Sequence, residues 1–156
     1  MRIEPRPLPE TLPFLGEMPT LLTRLYAARG VQSQAELDKS LARLIPYQQL
    51  KGIDAAVDLL VVALEQRQRI LIVGDFDADG ATASTVGMLG LRLLGAAHVD
   101  YLVPNRFEYG YGLTPEIVEV ALTRTPHLLI TVDNGISSID GVAAAEKAAS
   151  SVLVTD

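Results

Sequence analysis

Carboxylate side chains recur at the ends of apolar runs in the second half of this chain. Three aspartates alternate in DFDADG at 75–80, directly after the apolar run ILIVG at 70–74. Single aspartates follow the runs at 128–132 and 151–155. The candidate acids are Asp75, Asp77, Asp79, Asp133 and Asp156. If such acids meet, each like-charged pair at about 4 Å costs on the order of 4 kcal/mol at an effective dielectric near 20, so bound cations or shifted pKa values are required.

The composition limits which cation these acids could hold. The chain has no cysteine, so a metal ion must be held by oxygen or imidazole ligands. Carboxylate oxygens without a thiolate favour Mg²⁺ or Mn²⁺. The two histidines, His98 and His127, precede predicted strands and are expected at the opposite edge of the sheet, away from the acids. The sequence therefore predicts a Mn²⁺ or Mg²⁺ site built from aspartates.

The elements that must position these acids alternate between strands and helices. Strands are predicted at 70–74, 99–103, 128–132 and 151–155, and helices at 53–65, 81–94, 115–124 and 139–149, the third with Thr114 as its N-cap and Pro115 at its first position. This alternation predicts an α/β fold, a parallel sheet with helices on both faces. Because the carboxyl ends of parallel strands share one edge, the five aspartates are expected to meet there, with Asn105 and Arg106 beside them.

The first third of the chain has a different pattern. Residues 1–19 are rich in proline and predict an extended arm. Leucines at near-helical spacing over 20–44, interrupted at Gly30, predict two short helices. The predicted division is therefore an N-terminal arm and helices at 1–52 and the sheet domain at 53–156.

Charge and hydropathy narrow the functional classes. The chain has 156 residues, 49% of them hydrophobic, and a formal net charge of −6. No apolar run is long enough to cross a membrane, and the N-terminus lacks the apolar segment of a signal peptide, so a cytoplasmic location is predicted. An acidic domain is unusual for nucleic-acid binding unless its acids surround metal ions.

Other structures for DFDADG fit the sequence less well. A solvated turn would not explain further aspartates at two other strand ends. An EF-hand loop needs a glutamate at its twelfth position, where this chain has Val86. A phosphatase of the haloacid-dehalogenase type, or a receiver-like signalling domain with Asp133 as phospho-acceptor, would require a lysine after a later strand, and Lys147 falls inside a predicted helix.

Several motifs in order resemble one known family. VGDFDADGATAS at 73–84 resembles the first motif of the DHH phosphoesterases. The segments 103–119 (VPNRFEYGYGLTPEIVE) and 131–138 (TVDNGISS) are similar to those of the RecJ exonucleases in that family, and the lead segments YAARGV and LKGIDAAV are similar as well. VTD at 154–156 resembles the lead-in to the D-H-H motif. The family would continue with two histidines, a further aspartate and a second domain, so these residues are expected to be the first part of the core and inactive alone.

The resemblance implies a specific activity. The parent protein is expected to hydrolyse phosphodiesters with two Mn²⁺ or Mg²⁺ ions, as a 5′-to-3′ exonuclease on single-stranded DNA in recombination and repair. Single-strand-binding protein and a helicase are implied as partners. A DHH-family phosphodiesterase acting on oligoribonucleotides or cyclic dinucleotides is the alternative.

Residue roles follow from the two-metal chemistry. Asp133 is predicted to bridge both ions, since it stands alone after its strand. Asp77 and Asp79 are predicted to bind one ion each, because alternate residues of an extended turn project differently. Asp75 is expected to bind an ion or to orient a ligand, and Asp156 to bind one or to orient the histidine after it.

A second group of residues is expected to contact the substrate. The predicted substrate-binding residues are Gly80, Asn105, Arg106 and Asn134. For Arg106 the sequence leaves open a phosphate contact or a salt bridge to Glu108. Tyr109 and Tyr111 could stack on a base or simply pack their loop.

Overall fold

The computed structural model describes Glu4 and residues 6–156. The chain forms two compact units, Met1–Leu50 and Lys51–Asp156. The helices are α1 Thr20–Ala27, α2 Ile53–Glu65, α3 Ala78–Leu93, α4 Arg106–Tyr109, α5 Pro115–Leu122 and α6 Ile139–Lys147. The strands are β1 Arg69–Gly74, β2 His98–Leu102, β3 Leu128–Val132 and β4 Ser151–Thr155. No helix among the described residues is both long and apolar enough to span a membrane.

The described part of the first unit contains one α-helix where two were predicted. After α1 the chain makes three short 3₁₀ turns, Gln34–Leu37, Leu41–Arg43 and Tyr47–Gln49. The second predicted helix fails because the carboxylate of Asp38 accepts a hydrogen bond from the Ser40 N–H at 2.9 Å, a local turn that competes with the helical ladder. Of the predicted arm at 1–19, residues 1–3 and 5 lie outside the described residues, and residue 4 and residues 6–19 form no helix or strand.

The second unit is a four-stranded parallel sheet in the order β2-β1-β3-β4. The two central strands are buried on both faces, which explains their uninterrupted apolar sequences. Side chains of β1 alternate between two cores: Ile70 and Ile72 pack on the side of α2 and α3, whereas Leu71 and Val73 pack on the side of α5 and α6. The predicted α/β fold is confirmed.

Side-chain caps set the starts of α3 and α5. The helix predicted from residue 81 begins at Ala78, because Asp77 accepts a hydrogen bond from the Gly80 N–H at 3.0 Å and serves as N-cap. α5 starts as predicted, with Thr114 as N-cap and Pro115 at the first position. β2 lies one residue earlier than predicted, and the short α4 was not predicted at all.

Candidate metal centre

The strand register places three aspartates side by side at one edge of the sheet. Gly74 pairs with Val132, and Val132 pairs with Thr155. One residue further along each strand, Asp75 therefore neighbours Asp133, and Asp133 neighbours Asp156. Adjacent strands are about 4.8 Å apart, so the backbones of these aspartates lie at one edge of the sheet. β1 and β3 thus bring acids together that are 58 residues apart in the chain.

Three carboxylates form the tightest group. Asp75, Asp77 and Asp133 each offer an oxygen that lies within 4.8 Å of the other two. The Asp75 side chain is only 12% exposed. The pKa of Asp133 is raised above its usual value, first by loss of solvation and then by the negative charges of Asp77, Asp79 and Asp75. The protein thus holds acids together at a cost that a bound cation would remove.

Asp79 is placed differently from its prediction. Because α3 begins at Ala78, Asp77 is an N-cap and Asp79 lies in the first helical turn, so the two do not alternate along an extended turn. That geometric reason for giving each acid its own ion is wrong. Asp79 instead lines a cavity of about 670 Å³ together with Asp133 and Asp156. All five predicted acids therefore lie at the same edge, in two overlapping groups that share Asp133.

Gly80 is required by the close approach of α3 to the end of β1. A Cβ atom there would lie 2.4 Å from the carbonyl oxygen of Asp75 and 2.6 Å from its carbon. Glycine at this position therefore leaves room for the backbone of Asp75. The predicted substrate contact of Gly80 stays a prediction.

Asp133 has an unusual backbone that its neighbours hold in place. Its φ is +59°, in the left-handed region that costs most residues on the order of 1 kcal/mol or more. The Tyr111 hydroxyl donates to the Asp133 carbonyl oxygen at 3.1 Å. Next to it, the buried Asn134 amide donates to the carbonyl oxygens of Val73 at 3.2 Å and Val132 at 2.9 Å, linking the ends of β1 and β3. These contacts fix the direction in which the Asp133 carboxylate leaves the sheet.

The Asn134 contacts bear on its predicted role. Its amide nitrogen serves the two central strands, and its side-chain oxygen is buried with no hydrogen-bond partner among the described residues. A structural role for the nitrogen follows, while substrate binding by Asn134 stays a prediction. Asn105 caps α4, and its side-chain oxygen accepts a hydrogen bond from the Phe107 N–H at 3.1 Å.

Arg106 forms an ion pair with one of the acids. Its guanidinium donates to Asp75 at 3.1 Å and lies 3.9 Å from the centroid of the Phe76 ring and 5.3 Å from that of Tyr111. The alternative salt bridge to Glu108 is wrong: Arg106 points towards the strand ends and pairs with Asp75. The ion pair and the two rings hold the guanidinium beside the acids.

Tyr111 has a part in the site that the sequence did not predict. Its ring contacts Arg106 and its hydroxyl contacts the Asp133 backbone. Partial loss of solvation, and then the charges of Asp156, Asp75 and Asp133, raise the pKa of Tyr111. The hydroxyl therefore stays protonated and able to donate. Its place between two interleaved glycines, Gly110 and Gly112, was the only signal in the sequence.

The donor set fits a hard divalent cation. Every candidate ligand atom is a carboxylate oxygen, the donor that Mg²⁺ and Mn²⁺ prefer. The two histidines lie at the amino ends of the strands: His98 pairs in register with Arg69, and His127 accepts the Arg69 N–H at 3.0 Å. They are distant from the acids, as the sequence predicted.

Comparison with known proteins places this site in a family. Over 147 residues the chain is 53% identical to the single-stranded-DNA-specific exonuclease RecJ of Salmonella typhimurium, covering 94% of this chain and 26% of that protein. It is 49% identical over 156 residues to the RecJ of Escherichia coli, covering 100% of this chain and 27% of that protein. The chain thus spans about a quarter of the length of the curated relatives it matches.

A solved structure agrees with the sequence comparison. The crystal structure of an exonuclease RecJ bound to manganese superposes with a TM-score of 0.63 at 40% identity, covering 69% of this chain and 27% of that one. The family description "DHH family, N-terminal domain" matches residues 69–156, from the first residue of β1 to Asp156 and therefore including all five acids. On these grounds the chain belongs to the DHH family.

Proposed function

We propose that this chain supplies the aspartate-rich half of a metal-dependent phosphodiesterase centre. The observation that carries the proposal is the group formed by Asp75, Asp77 and Asp133, whose oxygens lie within 4.8 Å of one another. Asp79 and Asp156 add two further carboxylates from the adjoining cavity. We propose Mn²⁺ or Mg²⁺ as the ions, because the donors are all oxygen and a similar solved structure binds manganese.

Two such ions, when bound, supply Lewis-acid stabilisation of a phosphodiester and favour ionisation of an attacking water. The residues of this chain do the positioning. Asp133 is the member common to both groups of acids, which suits a carboxylate shared between two ions. Arg106 lies at the same edge and can hold a phosphate oxygen with its planar fork. That contact would require Arg106 to exchange part of its pairing with Asp75 once cations neutralise the acids.

We further propose that the protein degrades single-stranded DNA from its 5′ end. Support comes from the curated relatives, which are named as single-stranded-DNA-specific exonucleases and match up to 100% of this chain. The 5′ polarity, the roles in recombination and repair, and the partners single-strand-binding protein and helicase rest on the family resemblance. A cytoplasmic location is proposed because that is where such a DNA substrate would be met.

The boundary between the arm and the sheet domain is likewise a proposal. We place the lead segment at 1–52 and the phosphoesterase part at 53–156. The division of the structure after Leu50 and the family match from residue 69 support it.

The decisive experiment measures hydrolysis by the natural full-length protein that carries these residues. We expect Mn²⁺-dependent release of mononucleotides from a 5′-phosphorylated single strand of DNA. Asp133→Asn should remove this activity while leaving the melting temperature within a few degrees. Asp58→Asn, which neutralises an exposed acid on α2, is the matched control and should retain full activity.

Two results would contradict the proposal. Full turnover by Asp133→Asn would exclude Asp133 as a ligand. Faster hydrolysis of oligoribonucleotides or cyclic dinucleotides than of single-stranded DNA would assign the alternative substrate class.

A further inference from the structure

A second polar cavity lies at the edge of the sheet opposite the acids. It has a volume of about 420 Å³ and is formed where β1 and β2 begin. Its charged lining residues are Arg69, Arg92, His98, Asp100 and Arg124. Three arginines face one aspartate, in a protein whose formal net charge is −6. This concentration of positive charge has no part in the metal centre.

Two of the three arginines are held in place by the backbone around the cavity. Arg69 donates through Nε to the carbonyl oxygen of Thr125 at 2.6 Å. Arg124 donates to the carbonyl oxygen of Tyr101 at 2.7 Å and to the Asp100 carboxylate at 2.9 Å. The cavity therefore has two oriented guanidinium groups and not merely two flexible surface charges.

Arg92 differs from the other two arginines of the cavity in its pairing. It lies in the last turn of α3, and within Glu4 and residues 6–156 no acidic group forms an ion pair with it. Asp100 is already engaged by Arg124. An anion entering the cavity would therefore meet a guanidinium whose positive charge no described acid neutralises. A phosphate offers more than one oxygen and can pair with the planar fork of a guanidinium.

Arg92 also joins this cavity to a groove that runs towards the acids. The groove, of about 430 Å³, lies between α3 and the edge strand β2, and Ala81, Leu89, Arg92, Tyr101 and Val103 are among the residues that line it. Ala81 stands one residue after Gly80 at the metal-centre end of α3. From Ala81 to Arg92 the helix advances about 17 Å at 1.5 Å per residue.

The lining of the groove suits a strand with bases better than an isolated phosphate. Tyr101 is 53% exposed and lines the groove, where its ring can stack on a base without sequence preference. Apolar side chains such as Leu89 and Val103 form the rest of the wall. One end of the groove lies at Ala81, two residues after Asp79, and the other lies at Arg92.

We propose that the α3–β2 groove binds single-stranded nucleic acid and that Arg69, Arg92 and Arg124 hold a phosphate of that strand at its far end. The inference rests on the proposed function, since it assigns a course to the part of the substrate that is not being cleaved. A strand stacked at about 3.4 Å per nucleotide needs roughly five nucleotides to cover 17 Å, and a dinucleotide cannot reach.

The test compares substrates of two lengths in the natural full-length protein. Arg92→Gln should raise KM for a 12-nucleotide single strand about fivefold to tenfold, as expected for one lost charge-assisted contact. KM for a dinucleotide and kcat for both should stay unchanged. The slope of log KM against log salt for the 12-mer should decrease by about 0.7, the value for one phosphate contact on a single strand.

Matched variants separate this site from general charge effects. Lys147→Gln removes one positive charge from the last turn of α6 and should leave KM for both substrates unaltered. Arg92→Lys keeps the charge and should restore part of the affinity for the 12-mer. Melting temperatures of all three variants report whether the fold is retained.

Each outcome has one meaning. If Arg92→Gln leaves KM for the 12-mer unchanged in an enzyme that degrades it, the inference fails and the proposed function stands. An equal rise for the dinucleotide, or for the 12-mer in Lys147→Gln, also overturns the inference. If the unaltered protein degrades neither substrate, the proposed function fails and the inference fails with it.

Discussion

Replacing Gly80 by alanine should damage the metal centre through a contact that can be measured in the structure. The new Cβ would lie 2.4 Å from the Asp75 carbonyl oxygen, about 1 Å short of ordinary van der Waals contact. All three of its nearest atoms belong to the Asp75 backbone, so no side chain can rotate away. Either the first turn of α3 or the end of β1 must move.

Two opposing terms set the expected change in stability. Alanine within a helix is favoured over glycine by roughly 0.5–1 kcal/mol. Forcing an extra carbon into a packed site typically costs about 1–3 kcal/mol. We therefore expect a net loss of folding free energy of about 1–2 kcal/mol. A shift near 1 Å between Asp75 and Asp77 should also lower Mn²⁺-dependent turnover on the order of 100-fold.

The assay uses a control from the same helix. Gly90 also lies in α3, but a Cβ there would have no atom within 4 Å, so Gly90→Ala should raise the melting temperature and leave turnover unchanged. Melting curves and steady-state hydrolysis of single-stranded DNA are measured for both variants. A Gly80→Ala protein that is as stable and as active as Gly90→Ala would refute the steric reasoning.

Three further predictions concern the residues around the acids. Tyr111→Phe keeps the ring beside Arg106 but removes the hydrogen bond to the Asp133 backbone, which is worth about 0.5–1.5 kcal/mol. We expect kcat to fall about twofold to tenfold with little change in KM. An unchanged kcat would show that the bond is dispensable. Arg106→Lys keeps the charge but loses the planar fork stacked on Phe76, and turnover should drop about tenfold; wild-type kinetics would exclude a phosphate contact. Because the pKa of Asp133 is raised, its ionisation destabilises the metal-free protein as pH rises. A bound cation removes that cost, so the increase in melting temperature caused by Mn²⁺ should be larger at pH 7 than at pH 5. Equal increases at the two pH values would contradict this.

The position of the acids was predictable because it depends on periodicity alone. An uninterrupted apolar run such as 70–74 indicates a buried parallel strand, and the residue after it must lie at the carboxyl edge. The relation of Asp75 to Asp133 follows from that rule without any knowledge of side-chain contacts. The conformation of DFDADG could not be predicted in the same way, because the segment leaves β1 and enters α3. Asp77 is the N-cap of α3 and Asp79 lies in its first turn.

The contacts of Arg106 and Tyr111 could not be predicted from spacing. They depend on how the segment 105–113 folds over the ends of β1 and β3, which joins residues 22 to 31 positions apart. A salt bridge to Glu108 was equally compatible with the sequence. Pattern-based reasoning gives the direction of a strand or helix, whereas the rotamer of a long side chain in a loop is set by neighbours that only the folded chain brings near.

The parallel register of β1 and β3 ties two properties of the protein to one set of hydrogen bonds. Sliding β3 by a single residue would exchange its two faces, so that Leu129 and Ile130 traded cores, and would carry Asp133 away from Asp75 in the same step. Amide hydrogen exchange at Ile72 and Ile130 should consequently slow when Mn²⁺ is added, since an ion that cross-links the two strand ends opposes their separation. A substitution that shifted the register of β1 and β3 would therefore weaken both the packing of the sheet and the affinity for the cation.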